Sequence, residues 1–120
     1  MRSFMSKRDE KLFLYDIKDA TEAILSYTAS MDLDLFKNDR KTYSAVIREF
    51  EIIGEATKHL SNETINLYTQ VHWRDMQDFR NILIHEYFGV DFEIVWNTIF
   101  EDLPQLLETI KKIIEDQNEK

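Results

Sequence analysis

The stretch FRNILIHEY, residues 79–87, gathers Arg80, Asn81, His85 and Tyr87 into nine positions. Histidine has an unperturbed pKa near neutrality, so it can both take and give a proton. Arginine stays charged and grips phosphate oxygens through a planar fork of donors. Together they have the means to cleave an RNA phosphodiester without a metal. Histidine would manage the proton at the 2′-oxygen or at the leaving 5′-oxygen, and arginine would stabilise the charge that builds on phosphorus. RNA carries its own nucleophile, so no serine or cysteine is needed. The plainer reading is a helix in which His85 is satisfied within a core and Arg80 is paired with Glu51 or Glu55.

Spacing bears on that choice. On an ideal helix Arg80 and His85 stand about 140° apart, while Tyr87 returns to within about 20° of Arg80. Asn81 and His85 stack at i,i+4. Arg80 and His85 therefore flank a sector without stacking, which favours a site completed at an interface.

The elements that must carry these residues are helical. Two glycines and one proline in 120 residues are too few for a turn-rich all-β chain. Apolar positions Phe13, Ile17, Ala20 and Ile24 recur at three- and four-residue spacing, predicting a helix over residues 9–30. The polar stretch MDLDLFKND reads as a connection. Tyr43, Val46, Ile47, Phe50, Ile53, Thr57 and Leu60 mark a second helix over 39–60. Gly54 sits in its middle at a cost of about 1 kcal/mol relative to alanine, and a tight helix crossing there is the natural return. Ser61 opens a short helix to about 68. The third main helix is expected from Trp73 to about Phe88, carrying the motif and ending at Gly89. Asp91 suits the N-cap of a final helix, which Pro104 should kink or break. The result is a four-helix bundle with one additional short helix, a single domain over 1–120 with residues 1–8 and 116–120 frayed.

Hydrophobic residues at 43% support a real core, and the formal net charge of -8 argues against a general nucleic-acid-coating surface. It leaves room for a local phosphate site. The chain has no cysteine, no apolar run long enough to span a bilayer and no signal-peptide pattern. A cytoplasmic protein without membrane association is the consistent expectation. His59, His72 and His85 are thirteen residues apart each time, which is not a metal-ligand spacing. Glu51 and Glu55 suit a solvated face or an ion pair to Arg48 or Arg80 better than paired catalysis. Trp73 and Trp96 suit core or interface positions better than base stacking.

Three blocks, IREFEIIGEATKHLS, VHWRDMQDFRNILIHEYFGVD and IVWNTIFEDLP, together resemble the HepT-like proteins of the HEPN superfamily. The signature of arginine, four residues, histidine, one residue and tyrosine falls on Arg80, His85 and Tyr87. The resemblance implies an all-α HEPN domain that forms a homodimer, with two motif helices meeting at a shared cleft. It implies a toxin of a prokaryotic toxin–antitoxin pair, a metal-independent endoribonuclease acting on tRNA or mRNA. Arg80 and His85 are then the catalytic pair and Asn81 an auxiliary polar contact, with no metal or cofactor required. The implied partner is an MntA-like minimal nucleotidyltransferase that moves AMP from ATP onto Tyr87. It also implies a supporting, motif-orienting role for Glu55. The alternative is a non-catalytic dimer that only binds and regulates that nucleotidyltransferase.

Overall fold

The apolar periodicity becomes a stack of helices. The computed structural model describes residues 7–78, 89 and 91–119. Among them run α1 (Lys7–Thr28), α2 (Leu33–Asn38), α3 (Arg40–Thr57), α4 (Asn62–Leu67), α5 (Trp73–Gln77), α6 (Phe92–Glu101) and α7 (Leu103–Asn118). The described residues contain no strand. The chain is all-α, as its composition and periodicity require.

The long helix α1 packs on α3 and on α7, α6 packs on α7, and α2 bridges α3 and α6. Leu14, Ile17 and Ile24 of α1 join Phe50 and Ile53 of α3 and Leu106, Ile110 and Ile113 of α7 in one buried cluster. Fully burying each such side chain contributes roughly 1.5–3 kcal/mol. The inner faces expected for the first, second and final helices are the ones that face this core. Three helix starts expected from the sequence are capped as such. Asp39 accepts the Thr42 N–H at 3.1 Å, Ser61 the Thr64 N–H at 3.1 Å and Asp91 the Ile94 N–H at 3.2 Å. Each cap is worth about 1 kcal/mol.

Several details differ from expectation. The polar stretch read as a connection contains α2. Asp32 caps it by accepting the Leu35 N–H at 2.8 Å. Phe36 is fully buried at 0% exposure, its ring centroid 5.1 Å from Trp96, 6.2 Å from Phe92 and 6.4 Å from Tyr43. One large apolar anchor is enough to dock a helix of this length. The break expected from Pro104 is real, but it falls at Asp102. Proline occupies the first turn of α7, where a missing N–H costs nothing. The expected third main helix starts at Trp73, yet α5 closes at Gln77 with Asp78 as its C-cap. The expected continuation through residues 79–88 lies outside the described residues.

The polar tail expected to fray from 116 stays helical to Asn118. Side-chain bonds to other elements hold it. The Tyr68 hydroxyl donates to Asp116 at 2.6 Å, and that carboxylate pushes the Tyr68 hydroxyl pKa up to about 12. Lys11 donates to Asn118, and the Gln117 amide donates to Glu10 at 3.0 Å.

Glu10 is the least expected member of this group. Only 5% exposed, its carboxylate accepts the Ser61 backbone N–H at 2.6 Å and the Thr64 hydroxyl at 3.1 Å. In a capping box, a glutamate in the first turn bonds the N-cap N–H of its own helix. Here α1 supplies that glutamate to α4 from across the fold. Burial pushes the carboxyl up, but the donors from Ser61, Gln117 and Thr64 outweigh it and leave the pKa below the usual glutamate range. A depressed folded-state value means the stabilisation is complete above about pH 5 and is lost as pH falls through the folded value. Glu10→Gln is expected to cost about 2 kcal/mol at neutral pH. Urea unfolding at several pH values should also show a shallower loss of stability toward acid than in the wild type.

Candidate functional site

Arg80, Asn81, His85 and Tyr87 lie outside the described residues. The structure does describe the framework on either side of them. On the entry side, α5 lies against α3 at Gly54, the tight crossing expected there. A Cβ placed on Gly54 meets the Met76 carbonyl oxygen at 3.1 Å. The Trp73 indole N–H donates to the Tyr68 carbonyl at 2.8 Å, and both Trp73 and Met76 are buried. The Gln77 amide reaches the Thr57 carbonyl at 3.4 Å. On the exit side Gly89 has φ +85°, a conformation that glycine adopts at little cost and that suits the expected helix end. Asp91 then starts α6, whose Val95, Thr98 and Ile99 are buried.

A groove of about 460 Å³ opens beside the point where α5 ends. Phe13, Phe50, Ile52 and Ala56 give it an apolar lining, and Asp16, Glu51, Glu55, Arg48, Lys58 and Gln77 line it with polar groups. Three carboxylates against two cations do not make this a basic track for a nucleic-acid backbone. Arg48 lies 3.9 Å from Glu51, one of the ion pairs expected for that glutamate. Glu55 pairs instead with His59, whose Nε2 is 3.3 Å from its carboxylate. The His59 ring stacks on Phe13 with centroids 4.4 Å apart and planes within 10°. Both glutamates therefore have nearby partners, Arg48 within α3 and His59 just past its C-terminal end.

Sequence reasoning did not single out Asp16, Lys58 or Gln77 as lining of this groove. No local signal marks them, since each is one polar residue on a helix or at its end. Trp73 at 5% exposure is a core residue. Trp96 is half-buried, 5.1 Å from Phe36 and 4.7 Å from Phe100, and so belongs to the core margin. His72 is exposed and 3.9 Å from Asp75. Among the described residues no three His, Asp or Glu side chains converge as a metal site, and no helix is long and apolar enough to cross a membrane.

Comparison with known proteins gives this framework a family. A Methanocaldococcus jannaschii protein named "Putative RNase MJ0127" is 44% identical over 112 residues, covering 93% of each chain. The "Probable ribonuclease HepT" of Thermococcus cleftensis is 43% identical over 107 residues, 89% of this chain and 97% of that one. No solved structure gives a significant match. A family model described as Ribonuclease HepT-like matches residues 17–113, a span that contains Arg80, Asn81, His85 and Tyr87. The crossing at Gly54, the caps at Ser61 and Asp91 and the helices on either side of the motif all lie within that match, and the chain belongs to the HepT-like ribonuclease family.

Proposed function

We propose that this ribonuclease is the toxin of a toxin–antitoxin pair, a metal-independent endoribonuclease that works as a homodimer and is silenced by AMP on Tyr87. The observation that carries the reading is the Arg80–His85–Tyr87 spacing inside the family-matched span. Cleavage begins with attack of a 2′-oxygen on the adjacent phosphorus. The 2′-proton leaves to a base, the 5′-oxygen departs and takes up a proton, and a 2′,3′-cyclic phosphate and a 5′-hydroxyl remain. His85 handles these protons, Arg80 holds the non-bridging oxygens, and Asn81 adds a polar contact. The 140° or so between Arg80 and His85 on a helix supports a cleft completed by a second copy.

Tyr87 falls within about 20° of Arg80 on the same wheel, so an anionic nucleotide on its oxygen occupies the arginine's phosphate site. The Tyr87 oxygen attacks the α-phosphorus of ATP, its proton passes to a base, and pyrophosphate leaves. An MntA-like nucleotidyltransferase is the partner of the right chemistry. A single experiment addresses both halves of the reading. Purified protein, incubated with RNA in EDTA, is expected to yield cyclic-phosphate ends. Incubation with the nucleotidyltransferase and ATP should then add whole AMP units by mass spectrometry and stop cleavage, and Tyr87→Phe should resist both effects. AMP addition to a protein that never cleaves RNA would instead establish the non-catalytic partner. Continued modification of Tyr87→Phe would move the switch elsewhere.

A further inference from the structure

We infer that Gly54 is a positioning residue for the catalytic segment, setting where the chain leaves α5 toward Arg80. The inference rests on the ribonuclease reading above and goes beyond the motif itself. α3 and α5 cross here backbone to backbone. A Cβ at position 54 stands 3.1 Å from the Met76 carbonyl oxygen and 3.6 Å from that of Gln77. The first distance is shorter than ordinary carbon–oxygen contact, so any side chain forces α5 away by roughly a few tenths of an ångström.

The start of α5 cannot absorb that movement. The Trp73 indole is tied to the Tyr68 carbonyl at 2.8 Å, and its backbone N–H bonds the Val71 carbonyl at 3.0 Å. Trp73 and Met76 are 5% and 3% exposed and packed in the core. The hydrogen bond from α5 to α3, from the Gln77 amide to the Thr57 carbonyl, is long at 3.4 Å and gives first. The push is therefore delivered to the C-terminal end of α5. Arg80 follows Gln77 by three residues.

Stability and activity should respond differently at this position. Glycine is the weakest helix former after proline, so alanine improves α3 taken alone. A glycine needed only for folding would show its loss in melting temperature. One needed for positioning shows it in turnover.

The test compares wild type, Gly54→Ala, Gly54→Ser and Gln77→Leu in the full chain. RNA cleavage kinetics, thermal melting and the His85 ring-proton NMR signal are measured on each. Gly54→Ala is expected to lower kcat about tenfold, since sub-ångström misplacement of catalytic groups is costly. KM should stay within about twofold, melting should change by no more than a few degrees, and the His85 signal should move. Gly54→Ser should fall at least as far, and Gln77→Leu about threefold, because only the side-chain bond to Thr57 is lost. Wild-type kcat with an unmoved His85 signal in both Gly54 variants overturns the inference. So does a kcat that merely tracks the folded fraction. A wild-type protein that cleaves no RNA defeats the ribonuclease reading instead. The NMR comparison then decides the positioning role, upheld by a displaced His85 signal and overturned by an unmoved one.

Discussion

His85→Ala and Arg80→Ala are each expected to lower kcat for RNA cleavage by about a thousandfold, with little change in KM. The size follows from the chemistry each group supplies. General acid–base catalysis by one positioned side chain is worth roughly 10²–10⁴, and one donor aimed at developing oxyanion charge roughly 10²–10³. In the proposed mechanism both act on the transition state more than on bound RNA, so the loss belongs in kcat. The double variant should be only slightly worse than either single one, because groups that act on one transition state do not contribute additively. Arg80→Lys should recover part of the loss, since it restores charge without the bidentate fork. Single-turnover kinetics in EDTA measure all four variants. Near wild-type rates in either alanine variant would remove that residue from the catalytic pair.

Phe36→Ala is expected to be the most damaging core substitution outside the long helices, costing about 3–5 kcal/mol. Domains of this size are stable by roughly 5–15 kcal/mol, so the loss takes a large share of the total. Phe36 is fully buried and sits among Tyr43 of α3 and Phe92 and Trp96 of α6. Removing the ring opens a cavity where three elements meet, and α2 has no other buried residue to hold it. The urea midpoint should fall sharply. RNA cleavage should be lost on warming before it is lost in the cold, because α6 is the element onto which the chain returns after the motif. A midpoint within about 1 kcal/mol of wild type would mean that Tyr43, Phe92 and Trp96 close over the space unaided.

Phe36 also marks a limit of reading this chain from its sequence. A six-residue helix with one anchor offers too few positions for a 3.6-residue period to register, so α2 passed for a polar connection. Asp32 and Asp39, as successive caps, were the signal available there. The long helices were legible because each repeats its apolar face over several turns. Gly54 was legible for a different reason: a glycine inside a strong helix requires an explanation, and a neighbouring backbone supplies it. Glu10 was not legible at all. Its partners, Ser61, Thr64 and Gln117, lie on other elements, and nothing local distinguishes it from the surface acids around it. The motif is readable as residue types whose flanking blocks resemble a family, while its placement lies outside the described residues. The local partners of Glu51 and Glu55 were fixed by i,i+3 and i,i+4 neighbours, and of these Arg48 was named and His59 was not.

The bond from Gln117 to Glu10 joins positions 107 residues apart. Closing so long a stretch of chain carries the largest entropic cost in this topology, whereas α1 and α3 meet across a much shorter one. Docking of α7 on α1 thus closes the longest stretch of chain among the described residues. A chain interrupted before α7 leaves Ile17 and Ile24 of α1 without the apolar face of Leu106, Ile110 and Ile113 that shares their core, so the two ends of the described chain complete one another.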